Sequence, residues 1–506
     1  MSFSRAGGIL LHPTSLPGRF GIGDLGKEAY RFADFLADTG QHLWQMLPLG
    51  PTGFDNSPYQ SLSVFAGNPL LISLERLLEG NFLDRSDLAH SPSFSENLVD
   101  YEAVARFKMP LLRKSYETFE QRATPTQRQQ LVAFCQQNAS WLGVYSLFMA
   151  LREIHGLATW NTWEADIRSR QPEAIQRWNH KLAPEIRCHQ YQQYQFFKQW
   201  TELKKYCNER NIKLIGDIPI FVALNSAEVW SHPEMFYLDE NGQTTVVAGV
   251  PPDYFSKTGQ LWGNPLYHWD VMVRDGYRWW IERFRATRTL VDIIRLDHFR
   301  GFEKYWEIPG EDTTAVNGRW VAGPGAALFE TARQALGELP IIAEDLGLIT
   351  PEVHALRDRF DFPGMRVLQF AFSEGAGNVH QPHNYPRNCV VYTGTHDNNT
   401  TLGWFRGEDI GAITQSREER DKETRLALKY LGTDGHEITW DFIRLALMSV
   451  ANTAIIPLQD VLSLGSQARM NIPGTTQGNW RWRFTTDALT DRIRDRLREM
   501  TQLYGR

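Results

Sequence analysis

The chain has 506 residues, 42% of them hydrophobic and 22% charged, a composition typical of a globular protein rather than a disordered or fibrous one. Its formal net charge is -6 and it contains no run of five or six like charges, so nothing in the sequence indicates a nucleic-acid-binding protein. It also lacks a signal-peptide core, a stretch of eighteen apolar residues and a CxxC pair among its four cysteines. These features predict a cytoplasmic protein without a membrane span, a zinc site or a disulfide framework.

Aromatic residues are unusually frequent and make up 12% of the chain. The C–H faces of sugars stack on aromatic rings, so this surplus would suit a carbohydrate-binding cleft. Large hydrophobic cores also use aromatic residues, and composition alone leaves both interpretations open.

Eight short apolar runs, each ending in polar or Gly/Pro residues, are interpreted as buried parallel strands. They cover residues 7–15, 42–50, 212–222, 290–299, 339–347, 364–372, 388–399 and 449–460. Helical patterns lie between many of them, for example over 27–40 and 325–339, where Gly40 and Gly337 are placed to end the helices. Eight strands alternating with helices predict an α/β fold of the (β/α)8 TIM-barrel type, with residues 1–506 forming a single catalytic barrel.

Two stretches are too long to be ordinary connections in such a barrel. Residues 51–211 are predicted to form an inserted, largely helical subdomain. Residues 223–275, rich in Pro, Gly and aromatic residues, are predicted to form an inserted loop subdomain that covers the cleft. About 46 residues follow the eighth run, which leaves room for one or two helices and no C-terminal β-domain.

Three acidic residues follow predicted strands: Asp297 in RLDH, Glu344 in AEDLG and Asp397 in THDN. The carboxyl ends of barrel strands converge on one mouth, so these acids are expected in one cleft. Arg295 lies two residues before Asp297 on the same face of the strand, where its charge would keep Asp297 ionised as a nucleophile requires. Glu344 ends an apolar run, and burial should raise its pKa as a proton donor requires.

Each acid has a simpler interpretation when it is taken alone. An Asp after a strand is often the N-cap of the next helix. Only the occurrence of three acids at separate strand ends favours a catalytic role. His298 could pack a loop or take part in catalysis. Asp217, on the third strand, is interpreted as a structural residue supporting the floor of the active site.

The motifs RLDHFRG, AEDLG and TGTHDNNT occur together with SPYQSLSVFAGNPLLI, GVPPDYFSKTGQLWGNPLY and RMNIPGT. In this combination the chain resembles the 4-α-glucanotransferases of glycoside hydrolase family 77, the amylomaltase or disproportionating enzymes. The resemblance extends from AGGILLHPTSLPG near the start to GNWRWR near the end, which is nearly the whole chain.

The resemblance implies that Asp297 is the nucleophile, Glu344 the general acid/base and Asp397 the stabiliser of the transition state. It places residues 249–256 in a loop over the cleft, and it shows Phe54 at a position where tyrosine is common in relatives. The residues predicted to bind substrate are Tyr59, Tyr254, Trp262, Arg295, His396 and Asn471.

The resemblance also implies a retaining double displacement that moves a segment of an α-1,4-glucan to the 4-hydroxyl of glucose or of another α-1,4-glucan. Maltooligosaccharides and starch or glycogen-type glucans are the expected substrates, with no metal or organic cofactor. Retention predicts that the carboxyl groups of Asp297 and Glu344 lie about 5–5.5 Å apart. The alternatives are an α-glucan hydrolase of the same clan and, less compatible with three acids, a non-catalytic glucan-binding protein.

Overall fold

The computed structural model of the protein describes residues 3–53, 55–252, 256–373, 375–408 and 416–506. Twelve strands lie within these ranges. They are β1 (Ala6–Leu10), β2 (Leu43–Gln45), β3 (Lys213–Pro219), β4 (Val246–Val250), β5 (Gln260–Pro265), β6 (Ile293–Asp297), β7 (Lys304–Pro309), β8 (Arg319–Ala322), β9 (Ile341–Ala343), β10 (Gly364–Val367), β11 (Cys389–Tyr392) and β12 (Thr453–Pro457).

Eight of the strands close into a parallel barrel. Their order is β1-β12-β11-β10-β9-β6-β3-β2. Every residue of β1, β11 and β12 is buried, because the barrel interior covers one face of each strand and the surrounding helices cover the other. Strands buried on both faces appear in the sequence as continuous apolar runs, and each of the eight predicted runs overlaps one barrel strand. The predicted (β/α)8 barrel is therefore confirmed.

The described residues also form α-helices, most of which lie in connections between the barrel strands. They are α1 (Lys27–Asp38), α2 (Leu74–Glu79), α3 (Arg85–Ala89), α4 (Tyr101–Arg122), α5 (Pro125–Gln137), α6 (Leu142–Ile154), α7 (Ala165–Arg168), α8 (Pro172–Lys181), α9 (Ala183–Glu209), α10 (Ala227–Ser231), α11 (Trp269–Arg274), α12 (Arg278–Leu290), α13 (Gly325–Leu336), α14 (Pro351–Arg359), α15 (Thr401–Arg406), α16 (Arg417–Leu431), α17 (Ile438–Met448), α18 (Leu458–Val461) and α19 (Asp491–Leu503).

Glycines end the two helices that the sequence delimits most clearly. Gly40 follows α1 with φ of 70°, and Gly337 follows α13 with φ of 77°. An L side chain rarely adopts such a conformation, so glycine is the residue that lets the chain leave the helix and turn into the next strand.

The connection between β2 and β3 contains helices α2 to α9. The longest, α9, packs against α1, α4, α5 and α6. Two buried glutamines on α9 hold the loop that follows β2. Gln193 bonds both the N–H and the C=O of Gly67, at 2.8 and 2.9 Å, and Gln199 does the same for Ser73, at 2.8 and 3.2 Å. Each side-chain amide thus replaces the backbone partner that an irregular segment lacks.

A four-stranded antiparallel sheet with the order β5-β4-β7-β8 lies beside the barrel. The predicted 223–275 insertion supplies β4 and β5, whereas β7 and β8 come from the connection between β6 and β9, for which no strand was predicted. The division of the chain into subdomains stays a prediction. Among the described helices, none combines the length and the apolar character needed to cross a bilayer.

Candidate active site

Asp297, Glu344 and Asp397 all follow the carboxyl ends of barrel strands. Asp297 is the last residue of β6, Glu344 comes directly after the neighbouring strand β9, and Asp397 lies in the loop after β11. The strands are parallel, so the three carboxylates lie at the same end of the barrel, the end where the active sites of such barrels are found.

Arg295 connects two carboxylates at the base of this site. Its Nη1 lies 2.9 Å from Oδ1 of Asp297 and 2.6 Å from Oδ2 of Asp217. Asp217 is the register partner of Arg295 on the adjacent strand β3. Burial by itself would lower the pKa of Arg295, but Asp217 and Asp297 outweigh it and raise that pKa well above its usual value. Arg295 is therefore a permanent cation beside Asp297, on the same face of β6 as the i, i+2 spacing predicts.

Tyr59 extends this network to the other side of the barrel mouth. Its hydroxyl donates to Oδ2 of Asp217 at 2.9 Å and lies 2.8 Å from Nε2 of His396. A tyrosine has one hydroxyl proton, so the bond to Asp217 requires the tyrosine oxygen to accept from His396, which must carry a proton on Nε2. The two rings stack with their centroids 5.2 Å apart. Burial lowers the pKa of His396, which is neutral at physiological pH.

Asp397 is held in place by residues near the end of the chain. Asn471 Nδ2 donates to Oδ1 of Asp397 at 2.7 Å, and Arg469 Nη2 donates to its backbone carbonyl at 2.8 Å. His396 Nε2 lies 3.3 Å from Oδ2. The Asp397 side chain remains 46% exposed, so these bonds fix its orientation while leaving it open to the cleft.

Glu344 receives two backbone hydrogen bonds. The N–H of His298 donates to its Oε2 at 2.7 Å, and the N–H of Leu346 donates to its Oε1 at 2.9 Å. Burial raises the pKa of Glu344 to about 8, with a further contribution from Asp297, against the opposing effects of Arg295 and the two N–H groups. Glu344 is therefore protonated at neutral pH, as the sequence predicts for a proton donor.

The backbone of His298 explains how its N–H reaches Glu344. This residue has φ of 51°, a left-handed conformation that is uncommon for a non-glycine residue and that turns the chain sharply after β6. Its ring meets that of Trp262, from β5, edge to face with centroids 4.8 Å apart. The sequence left His298 between packing and catalysis. The structure gives it a packing contact through the ring and a contact to Glu344 through the backbone.

The structure brings together Tyr59, Arg295, His396, Asn471 and the three acids through the contacts described above, and Trp262 joins them through His298. Tyr254 and Phe54 lie outside the described residues, as does part of the 249–256 loop. The described residues contain no cluster of three or more His, Cys, Asp or Glu side chains that could hold a metal ion.

Two contributors to the site are not predicted from the sequence. Arg469 supports the backbone of Asp397 and lies two residues before Asn471, within the RMNIPGT motif. Trp480, in the GNWRWR motif, packs its ring 5.8 Å from that of Tyr59 and 6.0 Å from that of His396. Both motifs belong to the family resemblance, but nothing in them indicates a contact with loops more than seventy residues earlier in the chain.

Comparisons with known proteins identify the family of this chain. Residues 11–489 match the family described as 4-alpha-glucanotransferase. The 4-alpha-glucanotransferase of Synechocystis sp. is 52% identical over 506 residues, covering 99% of this chain and 98% of that protein. The enzyme of the same name from Thermus thermophilus is 50% identical and covers 99% of each. Among solved structures, the amylomaltase from Streptococcus agalactiae in complex with acarbose matches with a TM-score of 0.94 and 40% identity over 99% of both chains. With its barrel, its three acids at one mouth and these full-length matches, the chain belongs to the 4-alpha-glucanotransferase family.

Proposed function

We propose that this enzyme transfers a segment of an α-1,4-glucan to the 4-hydroxyl of glucose or of another α-1,4-glucan by a retaining double displacement. The observation that carries the proposal is the different setting of two carboxyl groups that follow neighbouring barrel strands. The carboxyl group of Asp297 lies 2.9 Å from the guanidinium of the permanent cation Arg295, at the carboxyl end of β6. Glu344, with a pKa of about 8, keeps its proton at neutral pH. One ionised and one protonated carboxyl group are what a retaining glycosidic reaction requires.

In the first step, Asp297 attacks the anomeric carbon and the glycosidic C–O bond breaks. The proton of Glu344 passes to the departing oxygen, which leaves as the 4-hydroxyl of the released sugar. The product is a covalent β-glucosyl ester on Asp297. The short carboxyl separation of about 5–5.5 Å that this step requires stays a prediction.

In the second step, Glu344 acts as a base. It takes the proton from the 4-hydroxyl of an incoming glucan, the hydroxyl oxygen bonds to the anomeric carbon, and the ester bond to Asp297 breaks. Each of the two steps inverts the configuration at the anomeric carbon, so the second step restores the α-linkage. The donor and the product therefore have the same configuration.

The donor sugar is proposed to bind Asp397, His396 and Tyr59. Asp397, half-exposed and oriented by Asn471, would accept hydrogen bonds from sugar hydroxyls beside the reacting carbon. His396 and Tyr59 form a stacked, hydrogen-bonded pair next to it, so their positions are fixed before substrate arrives. Maltooligosaccharides and starch or glycogen-type glucans are the proposed substrates, and glucose the smallest acceptor.

Maltotriose supplied alone tests transfer against hydrolysis. Water at ~55 M competes with a millimolar sugar acceptor for the covalent intermediate. Transfer therefore requires that binding and orientation of the sugar acceptor overcome a ~10⁴-fold concentration disadvantage, worth about 5–6 kcal/mol. Chromatography is expected to show glucose and a ladder of longer maltooligosaccharides, with the total of reducing ends nearly constant. A steady rise in reducing ends without longer products would instead establish the hydrolase.

The raised pKa of Glu344 predicts the alkaline side of the pH profile. The acid is protonated below its pKa of about 8 and loses the proton above it, so kcat/KM should fall as the pH rises through that value. The measurement is kcat/KM for maltotriose across pH, since this parameter reports groups of the free enzyme. A profile that stays level to about two pH units above that value would contradict the assignment of Glu344 as the acid.

A further inference from the structure

The residues around the barrel mouth fall into two groups. Tyr59, His396, Asp397 and Asn471 are joined by hydrogen bonds and come from the loops after β2, β11 and β12. On the other side, Glu344 follows β9, and its partner His298 follows β6 and contacts Trp262 of the antiparallel sheet. In the barrel order, β9 and β6 are separated from β1 and β2 by other strands on both sides. The second group therefore shares the β6–β9 side of the mouth with Asp297, and the first group lies across the mouth on the side of β2, β12 and β11.

The chemistry assigns a sugar to each side, and this step rests on the proposed function. The donor ring must place its anomeric carbon at Asp297, and the oxygen that leaves or attacks must lie at Glu344. The released sugar, and later the acceptor, therefore extend from Glu344 away from the donor group of residues. We therefore expect any surface that binds further acceptor units on the Glu344 side of the mouth, where Trp262 of the antiparallel sheet contacts His298.

An exposed apolar surface is attached to the two chain segments that bond Glu344, through His298 and Leu346. It consists of Trp320 on the edge strand β8, which is 37% exposed, and Leu348, which is 54% exposed and lies four residues after Glu344. Buried Arg300 joins the two, because its guanidinium lies 3.8 Å from the centre of the Trp320 ring and donates to the backbone carbonyl of Leu348. We call Trp320, Leu348 and the Arg300 guanidinium the Trp320 patch.

The ring of Trp320 is held in place although it is exposed. Trp306 is its register partner on β7, and the two rings meet edge to face with centroids 5.0 Å apart. Arg300, only 5% exposed, packs its guanidinium against one face of the Trp320 ring. A large ring kept rigid at the surface loses little entropy when a ligand stacks on it, and the apolar face of a pyranose can stack on an aromatic ring.

We propose that the Trp320 patch is an acceptor-side binding surface that stacks glucose units of a long acceptor beyond those held at Glu344. Glucose itself would not reach the patch, whereas a maltooligosaccharide acceptor bound at Glu344 would extend over it. The patch therefore sets the preference of the enzyme for long acceptors over glucose.

The test uses the full-length enzyme and α-maltosyl fluoride as donor, because fluoride leaves without occupying the acceptor side. The measured quantity is the ratio of kcat/KM for maltotetraose to kcat/KM for glucose, each supplied as acceptor. Trp320→Ala is expected to lower this ratio by about 3- to 10-fold, the range expected for loss of one aromatic stacking contact. Trp320→Phe, which keeps an aromatic face, should retain most of the wild-type ratio, and Leu348→Ser should lower it by a smaller factor.

Trp178→Ala is the matched control. Trp178 is a half-buried tryptophan with the Lys181 ammonium 4.4 Å from its ring centre, on α8 in the helical segment, and its removal should leave the ratio unchanged. An unchanged ratio in Trp320→Ala would overturn the proposal, and so would an equal fall in kcat/KM for both acceptors, which indicates a structural role only. Failure of the proposed function is a separate result, since the wild-type enzyme would then release maltose from the fluoride and elongate neither acceptor.

Discussion

Glu344→Gln is expected to reduce transfer from maltotriose by about 10²- to 10⁴-fold at neutral pH, the range associated with loss of a general acid/base. Glutamine has nearly the same shape as glutamate but can neither give a proton to the leaving oxygen nor take one from the acceptor. Both steps of the reaction should therefore slow.

The fold should survive this change. One of the two backbone N–H groups that now bond Glu344 would face the amide nitrogen, at a cost of about 1–3 kcal/mol. Initial rates and a thermal unfolding curve measure the two effects separately. Glu352→Gln, at an exposed glutamate in the first turn of α14, is the control and should transfer at the wild-type rate. Retention of more than about a tenth of the wild-type activity by Glu344→Gln would show that another group supplies the proton.

Asp297→Ala is expected to remove transfer altogether, a larger loss than in the acid variant, because no other group can form the covalent intermediate. The side chain of Asp297 is 27% exposed, and its removal leaves Arg295 paired with Asp217 at 2.6 Å. The buried cation therefore keeps a carboxylate partner, and folding should be little affected. Detection of the glucosyl-enzyme by mass spectrometry in the wild type, and not in this variant, checks the assignment directly.

Asp217→Ala is the variant whose stability is compared with that of Asp297→Ala. The Asp217 side chain is completely buried and bonds both Arg295 and Tyr59. Breaking a buried ion pair costs about 3–5 kcal/mol, so this variant should lose stability as well as activity. If instead Asp297→Ala destabilised the protein as much as Asp217→Ala, loss of activity in Asp297→Ala would no longer identify the nucleophile.

The sequence by itself determined the barrel and the location of its acids. Strands such as β11 and β12 are buried on both faces, so they appear as continuous apolar runs, and Gly40 and Gly337 mark where helices end because of their backbone conformation. Since all barrel strands point the same way, an acid after a strand lies at the common mouth whichever strand carries it. These signals are local, and the sequence contains them directly.

Only the tertiary structure decided which groups meet at the mouth. Tyr59 bonds Asp217 and His396, which lie 158 and 337 residues away along the chain. No local pattern specifies such partners, because they depend on barrel closure. Pairing of β3 with β6 likewise places Asp217 beside Arg295, although the two lie 78 residues apart along the chain.

The antiparallel sheet was missed for a related reason. Strands β7 and β8 are four to six residues long and only partly buried, so neither has a strong apolar pattern. β7 pairs with β4, more than fifty residues earlier in the chain, and β8 is added to the sheet through β7. The tertiary structure thus decided the position of Trp320, because the strand that carries it is ordered on a sheet whose other strands come from a distant segment.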